Sequence, residues 1–241
     1  MSDPLAPLLE LEGVAAAVKA AQDAVFAVHR HPVNLRNASA TAAEASVRAA
    51  RASAAIDGAD PEIPADAAVT DPVLAGALRV AESLESLLPT WRRAPRQALA
   101  KMHVLAASDL VDDHDRLGRP HAGAGARLDL LTQLVTGATS APGPALAAVV
   151  HGELLALKPF GSADGVVARA AARLTMVATG VDPKSLTVPE VAYLRRSARY
   201  HETAAAFASG EPDGVRDWLL FSCDAMERGA REARGIADSA G

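Results

Sequence analysis

Residues 151–174 read HGELLALKPFGSADGVVARAAARL, and the reading of this stretch decides the fold. His151 to Leu157 has the composition of a buried helix. Lys158, Pro159 and Phe160 then open a loop, and a second helix starts near Gly165. An amide-rich loop that feeds a helix N-terminus is a place where anions bind, because unpaired N–H groups and the positive dipole end point the same way. Upstream, Leu146, Val149, Val150, Leu154 and Leu157 surround their helix almost completely, the mark of a central buried element. His151 lies on it and is expected to hydrogen-bond inside the core, since a buried imidazole left unpaired would cost about 1–3 kcal/mol. The helix after the loop continues to about Thr179 and stops at Gly180.

The spacing resembles the signature of the Fic/Doc (Fido) family, H-P-F-x-D/E-G-N-G-R-x-x-R, preceded by a helix ending H-x-x-F-E-x-I. Pro159, Phe160, Gly165 and Arg169 match the signature, and His151 and Leu154 match the helix before it. Lys158 stands at the position of the catalytic His. Ser162 replaces the metal-binding acid, Asp164 the Asn, and Val166 the first Arg. The resemblance thus implies an all-α, Fido-like helical bundle whose catalytic apparatus has been dismantled or rebuilt.

Composition agrees with such a bundle. Of 241 residues, half are hydrophobic but only 3% are aromatic, and alanine dominates the rest. Alanine-rich amphipathic stretches with few β-branched runs favour closely packed helices. The chain is long enough for a sizeable core. With a net charge of −5 and no basic stripe, nucleic acid is not expected as a partner. Cys223, the single cysteine, lies in an apolar run and reads as a small buried hydrophobe. The leader MSDPLAPLLELEG lacks a basic region and a long apolar core, so it does not read as a secretion signal. No apolar run nears the ~20 residues of a membrane helix, and a cytoplasmic location with no membrane partner is expected.

Working toward the N-terminus, Leu9 to His29 has helical periodicity that should stop at His31-Pro32. His29 and His31 do not share a helix face and read as a solvated helix end. A second helix is expected over about 37–57, with Ser39 or Thr41 as its N-cap. It closes on Ser53-Ala54-Ala55-Ile56-Asp57-Gly58, with Gly as terminator. This turn resembles the inhibitory motif of many Fic proteins, S/T-x-x-x-E-G/N, with Asp for Glu. The resemblance implies that Ser53, Asp57 and Gly58 press on the motif loop and that Asp57 pairs with Arg169. Gly58 to Thr70 reads as a loop, after which Asp71-Pro72 caps and starts an amphipathic helix with Val73, Ala77, Val80, Leu84 and Leu87 on one face.

Between there and the motif, Ala94 to Ala107 is helical, and its ALAKMHVL resembles the family helix I-x-x-L-H-x-x-L. His103 within it reads as a packed core histidine. Asp112-Asp113-His114-Asp115 lacks the alternating spacing of a calcium loop and reads as solvated, so no metal site is expected. Gly118-Arg119-Pro120-His121 resembles the turn that opens the family's flap, a hairpin that docks targets by strand addition. The following AGAGARLDLL runs almost directly into a helix over Leu128 to Val135, so the flap is expected to be shortened. Downstream of the motif, Thr187-x-x-Glu190 is expected to be a capping box. From it runs one helix, VAYLRRSARYHETAAAF, followed by a turn and a last helix from Asp217. Three regions follow: an N-terminal helical region over 1–90, a Fido-like core over 91–232, and a flexible tail over 233–241.

What the family does requires a base, a metal and phosphate-binding groups. Its His takes a proton from a target hydroxyl and its acid holds Mg²⁺ on the phosphates. The loop amides and two arginines neutralise the phosphates while AMP passes from ATP. Lys158, with an ordinary pKa near 10.4, is protonated unless strongly desolvated and suits a phosphate better than a proton. Ser162 brings no charge for Mg²⁺. Asp164 can cap the helix and repel phosphate. The resemblance assigns nucleotide or anion binding to Phe160, Asp164, Gly165 and Arg169. The expectation is a Fido-domain protein inactive as an AMP transferase, with no cofactor. It would act through a protein partner, as a regulatory subunit or as a homo-oligomer. ATP and Mg²⁺ enter only if the motif is functional. The alternatives are a rebuilt nucleotidyl- or phosphotransferase using Lys158 and Arg169, and a plain small-molecule binder.

Overall fold

A computed structural model describes residues 3–65 and 68–241; positions 66 and 67 of the expected 58–70 loop, and Met1 and Ser2 of the leader, lie outside the described residues. The elements are α1 (Ala6–Leu9), α2 (Val14–His29), α3 (Pro32–Arg36), α4 (Ser39–Ile56), α5 (Pro72–Arg93) and α6 (Pro95–Ala107), followed by two 3₁₀ turns. Then come α7 (Gly125–Gln133), a π turn, α8 (Gly143–Leu157), α9 (Asp164–Ala178), α10 (Pro189–Arg195), α11 (Ser197–Ala208) and α12 (Pro212–Ser239). There is no strand among the described residues, and no described helix is long and apolar enough to cross a membrane.

α8 is the axis. Nearly every residue from Gly143 to Gly152 is buried, and α2, α9, α11 and α12 pack around it. α12 and α11 approach so closely that a Cβ at Gly152 would lie 2.7 Å from the Trp218 indole nitrogen and 2.8 Å from Phe207. The same indole N–H donates to the Ala148 carbonyl at 2.8 Å, so this bulky residue is buried with its polar handle satisfied. Cys223, on the same helix as Trp218, is buried in the principal core, and burial pushes its thiol pKa up to about 12, an inert state.

Several boundaries differ from the sequence expectation. α12 does not fray into a tail at residue 233: it continues to Ser239 because Ala233, Ile236 and Ala237 are buried, the first two beneath the N-terminal helices and α4. The principal core likewise runs from Leu5 to Met226 without a seam at residue 90. The expected single helix after Pro189 is broken at Arg196 (φ −130°, ψ 40°). No capping box forms at Thr187, whose N–H and hydroxyl both bond the Asp182 carboxylate, while Glu190 turns inward to Arg173. α4 starts at Ser39 with Asn37 accepting from its N–H and hydroxyl, and Thr41 is buried against Asn34.

His29 and His31 are not a solvated helix end. His29 Nε2 bonds Asp182 at 2.8 Å and His31 Nε2 bonds Asp238 at 3.1 Å, which fastens the end of α2 to the 180s loop and to α12. The leader is also tied down, by the Asp3 carboxylate accepting from Thr139 and Ser140. Asp71 caps α5 as expected, accepting from Val73 and Leu74 N–H at 2.9 Å each.

Candidate functional site

The site forms where α8 ends and α9 begins. Lys158 terminates α8 in the left-handed region (φ 45°), its N–H bonded to the Leu154 carbonyl and its side chain exposed. Gly161 and Ala163 also have positive φ, 76° and 50°, so the chain reverses within six residues. Lys158 and Ala163 are the strained members, because each carries a Cβ, which disfavours this region by about 1–2 kcal/mol.

His103 braces the loop from below. Its ring stacks on Phe160 with centroids 4.3 Å apart and planes 7° from parallel. Its Nδ1 accepts the Gly118 N–H at 2.9 Å, which leaves Nε2 protonated to donate to Ser162 Oγ at 3.0 Å. Burial lowers its pKa, in keeping with a neutral ring. A packed core histidine was expected here. Its role as the loop's anchor was not, although the ALAKMHVL match carried the signal. Above the loop, the shortened flap contributes a single backbone bond, from the His121 N–H to the Pro159 carbonyl at 2.8 Å. Asp112, Asp113, His114 and Asp115 are exposed around a 3₁₀ turn, and no group of His, Cys, Asp and Glu with metal-holding geometry occurs among the described residues.

Asp164 is the decisive residue. It does not cap α9, whose N-cap position is Ala163. Its carboxylate turns back and accepts the Phe160 N–H at 3.0 Å and the Gly161 N–H at 2.8 Å. These are the loop amides that the family resemblance assigns to phosphate. Burial raises the Asp164 pKa, opposed by those two N–H bonds and by Lys158 and His121.

On the other side of α9, α4 delivers Ser53 and Asp57 from successive turns. Asp57 Oδ2 accepts from Arg169 Nη2 at 2.7 Å, a direct single contact despite the shorter side chain. Ser53 adds its hydroxyl at 2.8 Å to Nε and its carbonyl at 2.9 Å to Nη2. The helices come this close because residue 165 has no side chain: a Cβ there would lie 2.6 Å from both Asp57 oxygens. Gly58 then leaves the helix with φ 90°. Arg169 also donates to the Tyr200 hydroxyl at 3.2 Å, and that hydroxyl meets His151 Nε2 at 2.9 Å. Burial pushes the Tyr200 pKa up to about 12, and burial followed by the Arg169 charge holds His151 well below its usual value. Tyr200 therefore keeps its proton and donates it to His151. Arg169 is 1% exposed with four acceptors around it, whereas Asp57 is 26% exposed.

Val166 is buried and faces α4 and α5. What remains open is a cleft of 520 Å³ between the loop and α11, bordered by Lys158, Gly165, Asp57, Tyr200 and His201.

Among solved structures, a Fic family protein from Desulfovibrio desulfuricans G20 superposes with a TM-score of 0.71 at 17% identity, covering 93% of this chain and 74% of that one. Fic-1 (residues 134–508) from C. elegans gives 0.72 at 14% identity, with 95% and 74% covered. This chain has the Fic/Fido fold. No family model matches the sequence, and no curated protein does. The likeness is one of fold, carried by the arrangement of helices.

Proposed function

We propose that this Fido-fold protein does not transfer AMP and acts by binding, as a partner or regulatory subunit of another protein. One observation carries the reading: the Asp164 carboxylate is bonded to the Phe160 and Gly161 amides, so the protein's own anion sits where a phosphate would. Three further features support it. Asp57 and Ser53 saturate Arg169, Val166 is turned into the core, and Ser162 is engaged by His103. A nucleotide phosphate arriving here would meet two carboxylates and one exposed cation, Lys158. A metal ion would find only a neutral hydroxyl in place of the family's acid. The residues present do not fit ATP and Mg²⁺.

Calorimetric titration with ATP and Mg²⁺ tests this. The wild type should show no binding up to millimolar nucleotide. The Asp164→Asn variant removes the negative charge that occupies the Phe160 and Gly161 amides, so it should bind more tightly than wild type. Wild-type affinity equal to or above that of the variant overturns the reading.

A further inference from the structure

A second concave site lies outside the motif, between α10, the C-terminal half of α12 and the middle of α4. It encloses 490 Å³ and is ringed by Arg48, Arg195, Arg196, Arg228, Arg231 and Glu232, over a floor of Val191 and Ala192. Arg228, Arg231 and Gly235 recur at helical spacing on one face of α12, and a Cβ at Gly235 would meet open space, so this face is left unfilled.

The charges here do not balance. Arg48 pairs with Glu44 at 2.6 Å and Glu232 at 2.8 Å, and Arg195 reaches the same Glu232 at 3.4 Å. Arg196 and Arg228 share Asp224, and Arg231 has no ion pair among the described residues. Four guanidinium groups thus share three carboxylates and a fifth has none, in a chain whose net charge is −5. Arg196 lies over the Phe221 ring at 4.7 Å, which fixes its plane. Its Nη2 is buried and is not itself presented to the groove. A planar guanidinium is shaped for two oxygens of one phosphate or carboxylate, and those of Arg195, Arg228 and Arg231 are exposed at the groove.

We propose that this groove binds a small anion with two or more linked phosphate groups, gripped by Arg195, Arg228 and Arg231. Its volume is that of a small-ligand pocket, roughly 300–1,000 Å³, rather than of a track for a long polyanion. Several forks converging on one groove suit linked phosphates better than a single one, which one or two forks would satisfy.

Isothermal titration with sodium tripolyphosphate, with orthophosphate and a poly-glutamate peptide as separate arms at constant ionic strength, tests this. Tripolyphosphate should bind at least tenfold more tightly than either. The Arg228→Gln, Arg231→Gln variant, altered only at exposed side chains, should lose at least tenfold, and Lys158→Ala should keep full affinity. Four results overturn the proposal. They are no preference over orthophosphate, undiminished binding by the double arginine variant, loss on Lys158→Ala, and tighter binding of the acidic peptide.

Discussion

The inner face of α9 and the loop that feeds it treat charge in opposite ways. Arg169 and Arg173, one turn apart, are enclosed on all sides: Arg169 by Ser53, Asp57 and Tyr200, and Arg173 by Glu190 and Ser185. A few ångströms of chain away, Asp164 holds two amides at a half-exposed rim. In the first region a buried cation is surrounded by acceptors. In the second, a carboxylate occupies two loop amides. Charges in the first place hold helices together, whereas the charge in the second lies at the rim of the open cleft.

The comparison breaks most visibly in stability. Arg169→Ala removes a buried cation and strands Asp57, so it should cost about 3–5 kcal/mol in urea unfolding. Asp57→Ala should cost less, about 1.5–3 kcal/mol, because Ser53 and Tyr200 remain on the guanidinium. The unequal exposure of Arg169 and Asp57, 1% and 26%, is the reason for the difference. Equal losses would mean that Ser53 and Tyr200 contribute nothing.

Acid should find the same region. His103 and His151 both sit below the ordinary value of 6.5, by burial in each case. Below pH 6.5 the unfolded chain takes up protons that these rings refuse in the fold. Stability should therefore be full above pH 6.5 and fall as pH drops beneath it, by up to about 1.4 kcal/mol per pH unit for each ring. His151→Gln should flatten the fall measured by urea unfolding between pH 6.5 and 5. An unchanged slope would remove His151 from the account.

The smallest effect is expected in the loop backbone. Ala163 holds φ 50°, a conformation glycine adopts freely. Ala163→Gly should raise stability by up to about 1 kcal/mol, the strain relief exceeding the entropy that glycine adds to the unfolded chain. A loss of more than that in thermal unfolding would show that the Cβ packs usefully.

How much of this was legible in the sequence depended on whether local pattern or distant partners set each feature. α8, α9 and the Asp71-Pro72 start were readable because periodicity and caps are local. The Ser53, Asp57 and Arg169 meeting was readable only through the family resemblance, since the two helices are far apart in the chain. The extension of α12 to Ser239 was missed because Ala233, Ile236 and Ala237 look polar-flanked in sequence and are covered only by tertiary packing. His29 and His31 were misread for the same reason, their partners Asp182 and Asp238 lying in the last third of the chain. The capping box failed because Asp182 outcompeted Glu190 for Thr187. Asp164 was recognised as hostile to phosphate, but its use as the loop's internal anion needs the reversal at Gly161 and Ala163 to be seen.

Incubation with labelled ATP and Mg²⁺, comparing wild type with Asp57→Gly and with Lys158→His, tests whether this fold transfers AMP. Freeing Arg169 leaves the Phe160 and Gly161 amides filled by Asp164, and restoring the imidazole alone supplies neither a metal-binding acid nor an open phosphate seat. No labelled product, on the protein or on lysate proteins, is expected from any of the three. Robust self-labelling of Asp57→Gly would contradict this and show that the site is inhibited rather than dismantled.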